Sequence, residues 1–180
     1  MPSEFQTVVD NHYQNLYRFA ISLTKSTDDA WDLTQESFLR LAKKRASIRS
    51  AKAIKSWLYT TLYREFLRIA KKSSRYDSIE DLDTVETTEH VSPEQFKNAE
   101  ANDVLNALLE LKFVYRQVVT LYYLESYSYK EIAAILEIPI GTVMSRLARG
   151  KDILKTILTK PAEQRKVIPF SSHTRRASNG

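Results

Sequence analysis

Apolar side chains recur at helical spacing from near the start of the chain. Phe5, Val8, Val9, Tyr13, Leu16, Tyr17, Ala20, Ile21 and Leu23 predict a helix over 5–25. Ser26, Thr27 and Asp28 read as its stop and as the N-cap of a second helix, over 28–44. At about 100° per residue, Ala30, Trp31, Leu33, Phe38 and Leu41 share one arc of that helix, and Asp32, Gln35 and Glu36 share the other. The polar run RASIRSAKAI leads to a third helix from about Ser56 to Lys72. Its apolar positions are Trp57, Leu58, Leu62, Phe66 and Ile69, and its end is basic (Arg68, Lys71, Lys72, Arg75).

The period then disappears. Residues 73–91 are polar, acidic and aperiodic, the pattern of a flexible linker. Ser92-Pro93-Glu94-Gln95 combines an N-cap, a proline at the first helical position and a capping-box glutamine, so a helix is expected over 93–111 and another over 113–125. Ser128 with Glu131 forms a second capping box. It opens the stretch YSYKEIAAILEIPIGTVMSRLARGK, a short apolar helix, a break at Ile138-Pro139 and a second helix starting at Gly141-Thr142-Val143. On that second helix Val143, Leu147, Gly150 and Leu154 share one face. Met144, Ser145, Ala148, Arg149 and Asp152 share the opposite one, flanked by Thr142 and Arg146. This is the layout of a helix-turn-helix whose outer face meets the major groove, and it equally fits an ordinary antiparallel helix pair with solvated arginines. Glu137 stands where a left-handed helix end would favour glycine. Either the turn takes another geometry or it carries a strain of about 1 kcal/mol.

No strand and no internal repeat is legible. The expected fold is all-α, with two small helical domains, 1–76 and 93–158, joined by a flexible acidic linker at 77–92 and followed by a basic, disordered tail at 159–180. Charge sharpens this division. Residues 1–76 hold 14 Lys/Arg against 7 Asp/Glu, residues 77–98 hold 1 against 7, residues 99–158 are balanced at 7 each, and the tail holds 5 against 1. A basic first block suits a polyanionic partner, although solvated charge alone also accounts for it. The tail's one apolar patch is VIPF at 167–170.

Composition removes several function classes. With no cysteine in 180 residues, disulfides, zinc fingers and thiol catalysis are excluded. Three glycines argue against glycine-rich phosphate loops. His12, His90 and His173 are scattered and the carboxylates show no metal-ligand grouping, so neither an enzyme nor a cofactor is expected. No basic-then-apolar leader opens the chain and no uncharged apolar run nears about 20 residues, so a cytoplasmic protein without membrane insertion is expected.

Three separated segments, DLTQESFLRL at 32–41, WLY at 57–59 with the basic helix end, and SYKEIAAIL through IPIGTVMSRLARGK at 128–151, together resemble the bacterial ECF sigma factors. The resemblance spans roughly residues 5–158. It implies a subunit that binds core RNA polymerase and directs promoter recognition. The helix at 28–44 would dock on the polymerase large subunit through Asp32, Gln35, Glu36 and Arg40. Arg45, Arg49, Ser50, Lys52, Trp57, Tyr59, Arg64, Lys71 and Lys72 would hold the −10 element and its separated strand, with the loop at 49–52 choosing the base and Trp57 serving equally as core. Thr142, Met144, Ser145, Arg146, Ala148 and Arg149 would meet the −35 element. Members are often held inactive by an anti-sigma factor, a partner the sequence leaves open. Against the usual pattern, Arg64 replaces Asn and Arg68 replaces Asp, which makes the −10 surface more basic, and Met144 stands where Lys or Arg is common. Met144 offers only apolar contact, for instance to a thymine methyl. The competing reading is a stand-alone helix-turn-helix regulator, which would need a dimer interface or a ligand pocket.

Overall fold

A computed structural model of the chain describes residues 4–44, 50–72 and 99–160, and every regular element among them is a helix. The first lobe holds α1 (Glu4–Thr24), α2 (Thr27–Lys44) and α3 (Ala51–Lys72). The second holds α4 (Ala99–Glu110), α5 (Phe113–Tyr123), α6 (Tyr129–Leu136) and α7 (Ile140–Thr159). Arg45, Arg49, the expected linker at 77–92, the Ser92–Gln95 cap and the tail beyond Lys160 lie outside the described residues.

The corner between α1 and α2 is made locally. Lys25 turns into the left-handed region at φ 53. The Ser26 hydroxyl then accepts the Asp29 N–H at 3.2 Å, and its carbonyl accepts that of Ala30 at 3.0 Å. Asp28 and Asp29 place negative charge at the positive end of α2. The helix buries Ala30, Leu33, Phe38 and Leu41 against the first-lobe core. Trp31, expected in the same arc, is 47% exposed. It sits about 100° from Ala30, at the rim of the buried stripe.

Helix α3 starts five residues before the position expected from its apolar period. Ser50 caps it, accepting the Ala53 N–H on its hydroxyl at 3.1 Å and the Ile54 N–H on its carbonyl at 3.0 Å. In its first turn Lys52 and Ala53 are exposed and Ile54 is only partly buried, so periodicity missed it, while Ala51 and Ala53 favour helix. Lys52 therefore stands on a helix and not in a loop. The buried stripe also differs from the expected one. Leu58, Tyr59, Leu62, Tyr63, Phe66 and Ala70 face inward and Ile69 is exposed.

In the second lobe the Ser128–Glu131 capping box forms as expected. The Ser128 N–H donates to Glu131 Oε2 at 2.9 Å, and the Glu131 N–H donates to Ser128 Oγ at 3.3 Å. Helices α5 and α7 pack closely because Gly150 faces α5. A Cβ at Gly150 would stand 2.6 Å from Val119 Cγ2 and 3.2 Å from Tyr115 Cβ.

The two lobes are not held apart. α1 lies against α4 and α5, and α3 lies against α6. Phe66 stacks on Phe113 with ring centroids 5.7 Å apart, and Tyr59 meets Tyr127 edge-on at 5.3 Å. One hydrophobic cluster runs through both lobes.

Gly150→Ala tests the α5–α7 contact. Alanine gains up to about 1 kcal/mol in helix propensity, but the overlap with a stiff valine costs roughly 1–3 kcal/mol. The expected result is a melting temperature lower by a few degrees in a circular-dichroism melt. An unchanged or raised value would mean that the two helices are not so close.

Candidate nucleic-acid interface

The outer ridge of α7 follows from its inner face. Val143, Leu147 and Gly150 are buried and Leu154 is half-buried, which turns Met144, Ser145, Ala148, Arg149 and Asp152 to solvent. Thr142 and Arg146 are half-buried at its sides. All six residues expected at the −35 element thus share one accessible ridge. The Arg149 fork can serve a phosphate or a guanine edge, and Met144, 52% exposed, offers an apolar tip between polar neighbours. The preceding turn is left-handed, with Glu137 at φ 55 and ψ 42, so the strained alternative is the one adopted.

The α3 surface is arranged differently. Lys71 and Lys72 are exposed at its end, and Trp57 is half-buried against the core. Tyr59, expected to meet DNA, is fully buried, and its hydroxyl donates to Glu125 Oε2 at 2.5 Å. Lys52 Nζ stands 3.4 Å from Glu131 Oε1. Lys55 donates to the Glu125 carbonyl at 2.9 Å and lies over the Tyr127 ring. Arg64 pairs with Glu137, its Nε 2.7 Å from Oε1. The expected −10 row is therefore not an open track in this arrangement. Its middle is enclosed by Glu125 and Tyr127, just before α6, because the stripe carrying Tyr59 and Tyr63 is the one that packs.

On α2, Asp32 and Gln35 are exposed, as a docking stripe requires. Glu36 and Arg40 are tied inward. Arg40 meets Glu36 at 2.7 Å and Glu65 of α3 at 2.8 Å. Glu65, almost fully buried, also accepts from Arg68 Nε at 3.0 Å. The Arg68 guanidinium, helped by Arg40, holds the Glu65 carboxyl below the usual carboxylate range. Arg68 is thus neutralised at home and does not add free positive charge to the −10 surface, contrary to the expectation from its departure. Leu39, 56% exposed, was missed. It stands four residues after Gln35 and seven after Asp32, hence on their face, a spacing legible in the sequence.

Two further residues left no local signal. Arg116 is 2% exposed and donates to the carbonyls of Ser22 (2.5 Å) and Leu111 (2.6 Å). Glu125 is 3% exposed, and its Oε1 finds no donor among the described residues. Burial pushes its carboxyl up, while the Tyr59 hydroxyl, Lys55 and Arg18 pull it down less strongly. Burial also pushes the Tyr63 hydroxyl up to about 12, with the charges of Arg146 and Glu137 acting on it from the second lobe.

Two family models match the chain in order: Sigma-70 region 2 over residues 8–76 and Sigma-70, region 4 over residues 101–154. The chain is 32% identical over 154 residues to the RNA polymerase sigma factor SigV of Bacillus subtilis, covering 86% of this chain and 90% of that protein. It is 32% identical over 145 residues to the ECF RNA polymerase sigma factor EcfG of Rhodopseudomonas palustris, covering 80% and 79%. Among solved structures it resembles the sigma factor RpoE of Bartonella quintana, crystallised with the anti-sigma factor NepR. That match has a TM-score of 0.69 and 30% identity, and covers 87% of this chain and 98% of that one.

The Glu125 environment sets a pH dependence. A raised carboxyl binds its proton more tightly when the lobes are packed than when it is free in water. Its contribution to packing is therefore complete below the ordinary carboxylate value and is lost as pH rises through the raised one. Glu125→Gln keeps a partner for Tyr59 and removes the charge. The variant is expected to gain stability over the parent chain as pH rises above the ordinary carboxylate range, measured as a difference in melting temperature. A difference that stays constant with pH would show that Glu125 is not held in the seam.

Proposed function

The chain belongs to the ECF sigma factors, which bind core RNA polymerase and direct promoter recognition, and on that premise we propose how its surfaces divide the work. Residues 1–76 dock on core polymerase and handle the −10 element, residues 77–92 link, residues 93–158 read the −35 element, and residues 159–180 are a basic tail. Docking uses the exposed Asp32 and Gln35, with Glu36 and Arg40 shaping the face beside them. A polar helix face opposite a buried one suits the cationic side chains of a protein partner. The −10 strand is held by Arg45, Arg49, Ser50, Lys52, Trp57, Arg64, Lys71 and Lys72. Tyr59 serves by supporting α3 from within, since a buried ring cannot stack on a base. The −35 duplex is read by Thr142, Met144, Ser145, Arg146, Ala148 and Arg149.

The observation that carries this reading is the α7 ridge. It presents Met144, Ser145, Ala148 and Arg149 to solvent, with Thr142 and Arg146 half-buried at its sides, on a helix whose other side is core. The protein performs no chemistry itself, and bond formation belongs to the polymerase. Its workplace is the cytoplasm, where polymerase and chromosome are. No described helix is long and apolar enough to cross a membrane. The Bartonella relative was solved with an anti-sigma factor, and a partner of that kind is proposed here too.

Transcription from candidate promoters with purified core polymerase tests the function. A defined start site is expected only with both proteins present. Tight, salt-sensitive duplex binding by the chain alone, with no effect on core polymerase, would instead identify a stand-alone regulator. Asp32→Ala with Gln35→Ala is expected to weaken core binding roughly tenfold without changing the melting temperature, because both side chains point to water. Unchanged affinity would refute the docking face. Met144→Arg adds a bidentate donor and one charge to the ridge. It should move the selected −35 sequence toward guanine and steepen the salt dependence by about one phosphate equivalent, as read by selection from a randomised −35 library. An unchanged preference would remove Met144 from the reading face.

A further inference from the structure

Two large apolar side chains at the start of α7 have no use inside the molecule. Ile140 is 49% exposed and Met144 52%, and neither is among the described apolar side chains that pack on the core. They stand four residues apart on one helix, which brings their Cβ atoms within about 6 Å and makes one continuous apolar edge. Entry into the helix does not need Ile140. Ile138, one residue before the Pro139 cap, is the position that staples to Val143, and both of those side chains pack on the core. Gly141 leaves the same end bare, since a Cβ there would have no packing neighbour within 4 Å. A glycine that nothing in the chain approaches suits close approach by something outside it. Charge follows in order along the same flank. At about 100° per residue, Ile140, Met144, Lys151 and Lys155 fall within about 60° of one another, and all four are exposed. The apolar pair thus lies at the N-terminal end, where a recognition helix meets base edges, and the lysines lie where the helix runs out toward the backbone.

We propose that Ile140 is a further −35 specificity residue: with Met144 it forms an apolar edge that selects thymine methyl groups at two positions, one to two base steps apart, in the major groove. This rests on the assignment of α7 to the −35 duplex and adds to it a residue and a base. The thymine 5-methyl is the one apolar group that a base pair presents in that groove. Cytosine, adenine and guanine present donors and acceptors, which an isoleucine would strip of water without replacing the hydrogen bonds. With about 3.4 Å of rise per step, two side chains about 6 Å apart cover one to two steps. The lysines on the same flank favour a polyanion, and so duplex DNA, over a protein surface as the occupant.

The test starts with the full-length protein on core polymerase and selects −35 sequences from a randomised library. Thymine is expected at two neighbouring positions. Each selected thymine is then replaced by deoxyuridine, which removes the methyl and leaves the hydrogen-bonding edge unchanged. Transcription at limiting holoenzyme should fall about fourfold per methyl, the effect of burying one such group. Ile140→Ser should abolish the penalty at one position and Met144→Ser at the other. Both side chains face water, so both variants should melt close to the parent. A selected −35 sequence without thymine, or equal output from thymine and deoxyuridine templates, overturns the methyl reading and leaves the −35 assignment standing. A parent holoenzyme with no −35 preference of any kind removes both. Serine variants that lose output equally on every −35 sequence place a protein surface against the edge, which also overturns the proposal.

Discussion

A buried guanidinium fixes how the two lobes meet. Arg116 sits in the first turn of α5, cannot lose its charge, and must find acceptors once water is excluded. The end of α1 provides them. The last carbonyls of a helix lack partners within it and carry the negative end of its dipole, and Ser22 is among them. The Leu111 carbonyl, at the turn between α4 and α5, supplies another acceptor. Withdrawing the acceptors would leave a charge in the core, at a cost of several kcal/mol by the usual measure of broken buried charge contacts. The position of α5 against α1 is therefore tightly specified. α5 in turn carries α7 through the Gly150 contact and leads directly into Tyr127 and α6, so the seam between α6 and α3 follows from it.

The seam is mostly polar where it is exposed and mostly aromatic where it is not. Phe66 on Phe113 and Tyr59 on Tyr127 supply the apolar part. The ion pairs at the rim are largely solvated, with Arg64 and Glu137 side chains 65% and 52% exposed, and pairs of that kind contribute on the order of 0–1 kcal/mol each. Within the seam one carboxylate oxygen of Glu125 lacks a donor among the described residues, which subtracts from the gain. These rim terms are small and opposed, so the lobes are held together by the shared apolar cluster and the buried Arg116 contact instead.

Most of what the chain does within a lobe was legible from the sequence. Apolar period and capping signals together located the seven described helices, with Ser26, Ser128 and Glu131 marking their caps. The α7 ridge came out correctly because the inner face of a helix determines its outer face. Errors gathered where the deciding partner is distant in sequence. Tyr59 resembles an exposed aromatic until Glu125, 66 positions away, is brought beside it. Arg116 and Ser22 are 94 positions apart, and neither carries a local sign of the other. Arg68 is the exception, read as free positive charge although its partner Glu65 stands only three residues before it. The start of α3 was missed for a different reason. In its first turn Lys52 and Ala53 face water and Ile54 is only partly buried, so hydrophobic period has little to report there.

Gly150 has a consequence for divergence. By letting α7 seat directly on α5, it makes the position of that helix independent of the side chains on its far side. Met144, Ser145, Ala148 and Arg149 face solvent and carry none of the core that holds the helix in place. A lineage that duplicates such a gene can then rewrite those positions one at a time and leave the fold's stability nearly untouched, and on the proposed assignment of α7 each step alters which promoter is read. The same close contact that forbids change at one position makes its neighbours on the opposite face cheap to vary.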